Sequence, residues 1–316
     1  MKKIVILDGF TLHADDLDAT LFNDFGEVTF YERTSPDLLI ERAKEADIVI
    51  TNKVPFSAAT MKQLPKLKLI AVAATGYNII DTQAAKSLGI CVCNVPDYGT
   101  DSVAQHTFAL LLELTNHVGK NAKTVSDGAW SQAIDWCYSL APIMELSGKT
   151  IGIIGFGRIG QKTAEIAKAF GMKVIYYART HKNCDWAEAV SLDELIKKSD
   201  VISLHCPATA ENTGFINQEL LTKMKPSALL LNTSRGQLID EQALAEALNK
   251  EILAGAALDV LSEEPPKVSN PLLTAKNCLI TPHNAWISKE ARGRIVQTLY
   301  QNIQAFLAGK PQHEVA

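Results

Sequence analysis

At 316 residues the chain holds two domains' worth of sequence, on a prior of roughly 150 residues per domain. It is 47% hydrophobic and 21% charged, a balance that excludes an intrinsically disordered chain, a collagen-like repeat and a disulfide scaffold. Lys+Arg 31 against Asp+Glu 35 leaves a net charge of -4, which argues against nucleic acid as a partner because phosphate binding needs a basic surface.

The first hundred residues repeat one unit. Short β-rich runs fall at 4–7, 28–31, 48–51, 69–73 and 90–93, with helix-like stretches such as 36–46 and 81–88 between them. Near-continuous apolar strands alternating with helices predict a parallel sheet covered on both faces, in a flavodoxin-like pattern. The start Met1-Lys2-Lys3 leads at once into the first strand, and its apolar run is too short for a signal-peptide core. No run approaches the roughly 20 apolar residues of a membrane span, so a cytoplasmic protein without a membrane partner is expected. Cys91 and Cys93 sit two apart on one strand and so share a face, but no second ligand pair accompanies them. The six cysteines therefore read as reduced core thiols.

The Pro/Asp/Gly cluster at 94–100 is a loop, and Thr100 or Asp101 can cap a long apolar helix over 102–120. An irregular stretch over 124–147 holds Trp130 and Trp136. The βα unit then restarts, with strands at 150–154, 173–177, 201–204, 228–231 and 253–257 and helices at 159–170, 192–198 and 241–250. A last helix over 289–308 has no obvious place in this second domain. Its return to the first would make that domain discontinuous, 1–99 plus 287–316, with 100–286 as the other. The cleft between two domains joined by two crossings is the default binding site.

Gly155-Phe156-Gly157-Arg158-Ile159-Gly160 follows a strand and opens a helix, the context that makes this glycine pattern informative. Gly155 permits a tight turn, Gly157 lets backbone approach a pyrophosphate, and Gly160 lets helix pack on strand. The amides at the helix start, Arg158 and Ile159 among them, suit phosphate oxygens. The next strand ends in Ala178-Arg179-Thr180 with no carboxylate to hold a ribose hydroxyl. That end suits a 2′-phosphate, so NADP preference or use of both NAD and NADP is expected.

Five segments in order carry a likeness to a known family: Ala74-Thr75-Gly76-Tyr77-Asn78-Ile79-Ile80-Asp81, the glycine fingerprint, Asn232-Thr233-Ser234-Arg235-Gly236, residues 258–265, and Thr281-Pro282-His283-Asn284. The chain resembles the D-isomer-specific 2-hydroxyacid dehydrogenases from end to end. The opening Leu7-Asp8-Gly9 and the 97–105 segment bring it nearest to the glycerate dehydrogenases, also called hydroxypyruvate reductases. The resemblance implies a flavodoxin-like substrate domain and a Rossmann NAD(P)-binding domain. It also implies reduction of a small 2-keto acid, hydroxypyruvate or glyoxylate, to D-glycerate or glycolate.

Residue by residue, the resemblance assigns Arg235 to the substrate carboxylate, a role its planar fork suits. It makes His283 the acid/base, a role for which histidine is the usual side chain, with Glu264 holding its tautomer. Glu264, which directly precedes a proline, is preferred over Glu263. Thr75 and Gly76 match the loop whose backbone amides bind substrate carboxylate. Asp259 matches the aspartate beside the nicotinamide, and Thr107, Cys206, Pro207, Thr233 and Ser234 fall at positions lining the cofactor. His13, His106, His117, His181, His205 and His313 fall in no ligand-like spacing, so no metal is expected. Trp130 and Trp136 fall where relatives carry a dimerisation arm, which implies a homodimer. A dehydrogenase of bulkier D-2-hydroxy acids, such as D-lactate, is the rival within the class. An NAD(H)-sensing corepressor is the rival outside it, since that class shares the fold.

Overall fold

The computed structural model describes every residue except 13–19, 181 and 183, so His13 and His181 lie outside the described residues. The chain divides into two units, Met1–Tyr98 with Ile287–Ala316, and Gly99–Trp286.

In the first unit, strands β1 (Lys2–Ile6), β2 (Gly26–Phe30), β3 (Ile48–Thr51), β4 (Leu69–Val72) and β5 (Cys91–Cys93) form a parallel sheet in the order β2-β1-β3-β4-β5. Every residue of β3 and β4 is buried, which is why these strands read as unbroken apolar runs rather than alternating ones. Each fully buried Ile or Leu on them contributes about 1.5–3 kcal/mol of transfer free energy. The helix Lys289–Leu307 packs against β4 through a stripe of Ala291, Ile295, Leu299 and Ile303.

Beyond that helix the chain runs back beside β5, a feature that sequence periodicity did not reveal. Val92 N–H donates to Ala316 O (2.7 Å), Val315 N–H to Val92 O (2.8 Å) and Asn94 N–H to His313 O (3.1 Å). The tail thereby pairs an edge strand that would otherwise present unpaired backbone.

In the second unit, β6 (Thr150–Ile154), β7 (Lys173–Tyr177), β8 (Glu188–Ala189), β9 (Val201–Leu204), β10 (Leu229–Asn232), β11 (Gly255–Leu258) and β12 (Cys278–Ile280) make a seven-stranded parallel sheet. The order is β12-β11-β10-β9-β6-β7-β8. The winding reverses between β6 and β9, and ligands of such sheets bind beyond the strand ends at that point. Both units are thus parallel, doubly wound α/β sheets.

The helix before this sheet differs from its expected span. It runs Thr100–Asn116 behind Gly99, so Thr100 and Asp101 lie inside its first turn rather than capping it. It stops short of 120 because His117 turns left-handed (φ 51) and donates its amide to Glu113 O. A second helix, Val118–Ser126, starts there, with Glu113 accepting from Gly119 N–H (2.9 Å). After it, only the turn Trp130–Gln132 is regular before β6. Among the described residues, no helix is long and apolar enough to cross a membrane.

Candidate active site

The glycine turn joins the two strand ends at the reversal point. Gly155 takes φ 96, a left-handed conformation, and donates its amide to Tyr177 O at the end of β7. A Cβ there would stand 2.6 Å from the His205 carbonyl and the Cys206 amide beyond β9. A Cβ on Gly160 would stand 2.1 Å from Gly155 O, so the helix Arg158–Ala169 could not start so close to the turn with any larger residue. Nothing lies within 4 Å of where a Cβ on Gly157 would be. The turn is therefore tight on its protein side and open at Gly157, above the amides of a helix first turn. This is a cradle for an anion, and it fits the pyrophosphate of a dinucleotide. Gln161, absent from the sequence reading, closes it by donating to Phe156 O (2.9 Å).

Ala178, Arg179 and Thr180 follow directly after β7. Arg179 is exposed and makes no ion pair among the described residues. Its charge is nonetheless felt at the loop after β9. Burial pushes the Cys206 thiol up, against the pull of its own amide and of Arg179. Glu211 is held below the usual carboxylate range by Thr209 and its own amide, with Arg179 adding to both. The Cys206-Pro207 loop is fixed by Asn212, which donates to Pro207 O (2.9 Å) and accepts from Thr209 N–H (2.6 Å).

His283 and Glu264 are brought together. Glu264 Oε2 lies 2.6 Å from His283 Nδ1, while Oε1 accepts from Leu261 N–H (3.0 Å). A carboxylate only accepts, so Nδ1 carries the proton, and Nε2 is the lone pair of the neutral ring or the acidic N–H of the charged one. Nε2 has no partner among the described residues. Glu263 turns instead to Lys267 (3.1 Å).

Asp259 builds the bend that presents His283. It is 1% exposed, and its carboxylate accepts from Thr281 Oγ1 (2.6 Å), Asn284 N–H (3.0 Å) and Ala285 N–H (2.9 Å), with His106 Nε2 at 3.5 Å. Its own carbonyl accepts from His283 N–H (2.8 Å), and His283 sits left-handed at φ 51. Burial raises the carboxyl's pKa, but the His106, Thr281 and amide hydrogen bonds outweigh it and hold Asp259 below its ordinary value. Its oxygens are thus committed to the 281–285 segment. Thr281 and His106 complete this cluster and were missed. A Thr two residues before His283 on a strand end is a local sign of Thr281; no local sign points to His106, 175 positions away.

Arg235 follows β10. Buried Asn232 folds the loop on itself: its Oδ1 accepts from Ser234 N–H (3.0 Å) and Ser234 Oγ (2.9 Å), and its Nδ2 donates to Arg235 O (2.8 Å). The guanidinium is exposed, donates to Ser234 O (2.7 Å), and makes no ion pair among the described residues. Gly236 lies against the backbone of residues 261 and 262, and Gln237 donates to Ser262 O (2.9 Å). The arginine loop is therefore packed on the segment that leads to Glu264. Thr107 and Thr233 meet through their hydroxyls (2.9 Å), and Thr107 also donates to Val103 O, so both are spent on joining helix to loop.

Thr75 and Gly76 belong to the first unit, after β4. Thr75 Oγ1 donates to Val95 O (2.8 Å) and Asn94 Nδ2 donates to Thr75 O (2.8 Å). The Thr75 and Gly76 amides have no partner among the described residues. Among those residues no cluster of His, Cys, Asp or Glu could hold a metal.

A phosphate cradle at a sheet's reversal point, with a carboxylate-backed histidine beyond its later strands, defines a dinucleotide-binding α/β oxidoreductase. Residues 108–285 match the family model described as D-isomer specific 2-hydroxyacid dehydrogenase, NAD binding domain. A hydroxypyruvate reductase of Blautia hydrogenotrophica is 47% identical over 322 residues, 99% of each chain. A glycerate dehydrogenase of Methylorubrum extorquens is 43% identical over 319 residues, again 99% of each. Among solved structures, an acyclic imino acid reductase in complex with NADPH and D-Arg superposes with a TM-score of 0.86 at 34% identity, covering 99% of this chain and 100% of that one. The chain belongs to the D-isomer specific 2-hydroxyacid dehydrogenase family, and it carries a nicotinamide-cofactor fold.

Proposed function

We propose that this protein reduces a small 2-keto acid, hydroxypyruvate or glyoxylate, to D-glycerate or glycolate, and catalyses the reverse oxidation. The observation that carries the reading is the His283–Glu264 pair, Nδ1 engaged and Nε2 without a partner among the described residues, with Arg235, in no ion pair among those residues, on the loop packed against the segment that leads to Glu264. The two relatives of nearly full coverage, named for hydroxypyruvate and glycerate, supply the substrate size.

When bound, the nicotinamide supplies or accepts the hydride. Arg235 receives the substrate carboxylate through its fork and polarises the neighbouring carbonyl. In the first unit, the Thr75 and Gly76 amides, which have no partner among the described residues, are donors suited to a substrate carboxylate. The imidazolium of His283 gives its Nε2 proton to the keto oxygen as negative charge grows there, and Glu264 stabilises the ring's charge before the transfer. In the reverse direction neutral Nε2 removes the hydroxyl proton. Gly155, Gly157, Arg158, Ile159 and Gly160 form the pyrophosphate cradle. Asp259, Thr107, Thr233 and Ser234 support the nicotinamide end by fixing the loops around it, and Cys206 and Pro207 line the rim.

The cofactor reading is NADP or both cofactors, on the cation at Arg179 and the missing carboxylate at Ala178. The assembly reading is a homodimer. Trp136 is 86% and Ile134 fully exposed on a segment with little regular structure, and a second copy would cover them.

Initial rates of NADH and NADPH oxidation against hydroxypyruvate, glyoxylate, pyruvate and a bulky 2-keto acid test the reading. Hydroxypyruvate or glyoxylate should give the highest kcat/KM, with NADPH at least equal to NADH. Faster turnover of the bulky acid sinks the substrate reading. Cofactor binding with no turnover of any keto acid points instead to a nucleotide sensor.

A further inference from the structure

The carboxylate loop of the first unit is not held by its immediate neighbours alone. Asn94, 7% exposed, has its backbone amide, its backbone carbonyl and its side-chain nitrogen committed. Its amide donates to His313 O (3.1 Å), its carbonyl accepts from Asn302 Nδ2 (2.9 Å), and its side chain donates to Thr75 O (2.8 Å). The carbonyl of Asn94 can only accept, so the nitrogen of Asn302 faces it and Oδ1 of Asn302 faces His313. His313 Nδ1, 2.9 Å from that oxygen, must then be the donor. A directed chain of hydrogen bonds thus runs from His313 through Asn302 and Asn94 to the Thr75 carbonyl.

That carbonyl belongs to the same planar peptide as the Gly76 amide. Fixing the oxygen therefore fixes the opposite direction of the N–H. Asn302 lies fully buried on the apolar stripe of the helix Lys289–Leu307, between Leu299 and Ile303. An amide at such a position costs desolvation that a leucine would not, unless it is satisfied at both ends as it is here. His313 is held left-handed at φ 51, a conformation that aims both its carbonyl and its ring at this cluster.

We propose that Asn302 and His313 are positioning residues that aim the Gly76 amide at the substrate carboxylate, acting through Asn94. The proposal rests on the reading that the amides of Thr75 and Gly76 bind substrate, and the experiment separates the two. Hydrogen exchange of the 74–78 segment is followed in wild-type protein with oxidised cofactor and hydroxypyruvate, a pair that cannot react. Slowed exchange on adding hydroxypyruvate supports the loop reading, and unchanged exchange overturns it.

With that reading in hand, His313→Ala and Asn302→Leu should raise the keto-acid KM by about three- to tenfold, the worth of one hydrogen bond. The cofactor KM and kcat should stay within about twofold. His313→Asn places an amide nitrogen where Nδ1 was, and asparagine tolerates the left-handed backbone, so it should restore the wild-type KM. A lowered melting temperature with unchanged KM would show a merely structural network. Failure of His313→Asn to restore KM would show that the donated hydrogen bond is not what matters. Either result overturns the proposal.

Discussion

Two loops prepared for opposite charges are held in opposite ways. The His283 bend is gathered by a buried carboxylate, Asp259, which takes a hydroxyl and two amides of the 281–285 segment. The Thr75 loop is gathered by neutral amides, Asn94 and behind it Asn302. The negative holder takes only the hydroxyl and amide donors of the bend, and under the proposed mechanism that bend presents an imidazolium. The same holder behind Thr75 would repel an incoming carboxylate, by about 3 kcal/mol at about 6 Å and an effective dielectric of about 20. Under the proposed mechanism the loop that presents a cation has a negative support, and the loop that meets an anion has a neutral one.

The largest effects are expected where that match meets the reaction. His283→Ala or Arg235→Ala should lower kcat/KM by about 10²- to 10⁴-fold while the circular dichroism spectrum and melting temperature stay close to wild type. Near wild-type turnover in either variant would remove the mechanism and the comparison with it.

Asp259→Asn comes next. It keeps the shape but not the charge, and an amide nitrogen would face backbone N–H groups. The segment should loosen, with kcat down about 10- to 100-fold through misplacement of His283 and stability down about 1–3 kcal/mol. The pH dependence has a definite sign. Because the folded Asp259 carboxyl is held below its ordinary value, its contribution is fully present above the unfolded pKa of about 4 and is lost as pH falls through the lower folded value. Melting temperatures of wild type and variant should therefore differ at neutral pH and converge in acid. A constant gap down the whole acid range would mean that the charge is not what Asp259 contributes.

The sequence made one half of this contrast more legible than the other. Gly155, Gly157 and Gly160 form a short pattern between a strand and a helix, and Arg235 and His283 lie in short segments that carry the family resemblance, so all five are legible from local sequence. The supports are non-local. Asn302 bonds to Asn94 across 208 positions and His106 reaches Thr281 across 175, and no window of sequence shows either pairing. Asp259 was read as a cofactor neighbour, and only the tertiary structure shows its oxygens taken by amides. The strands were legible because burial on both faces leaves unbroken apolar runs. The return of residues 313–316 beside β5 was not, because backbone pairing of so short a segment leaves no periodicity. The break at His117 was hidden for the same reason, since one left-handed residue changes no hydrophobic pattern.

A smaller effect is expected at the rim, where Arg179 is proposed to face the cofactor rather than the substrate. Ala178→Asp should move the NADPH-to-NADH ratio of kcat/KM toward NADH by about tenfold or more, since a carboxylate there would repel a 2′-phosphate and accept from a ribose hydroxyl. An unchanged ratio would count against a phosphate-facing strand end.

The smallest expected effect is also the sharpest control, because Glu263 and Glu264 are adjacent carboxylates with different partners. Glu263 pairs with Lys267 at an exposed site, and such pairs contribute about 0–1 kcal/mol, so Glu263→Gln should leave kcat, KM and the pH profile within about twofold of wild type. Glu264→Gln keeps the size and the Leu261 contact but puts a neutral amide beside Nδ1. The ring then loses the acceptor that fixes the proton on Nδ1 and leaves Nε2 for the substrate, and kcat should fall by about 10- to 100-fold. If both variants lowered kcat alike, the effect would be one of general negative charge. If only Glu264→Gln does, the carboxylate acts through its hydrogen bond to His283, and the contrast between a charged support there and a neutral one behind Thr75 stands on a measured difference.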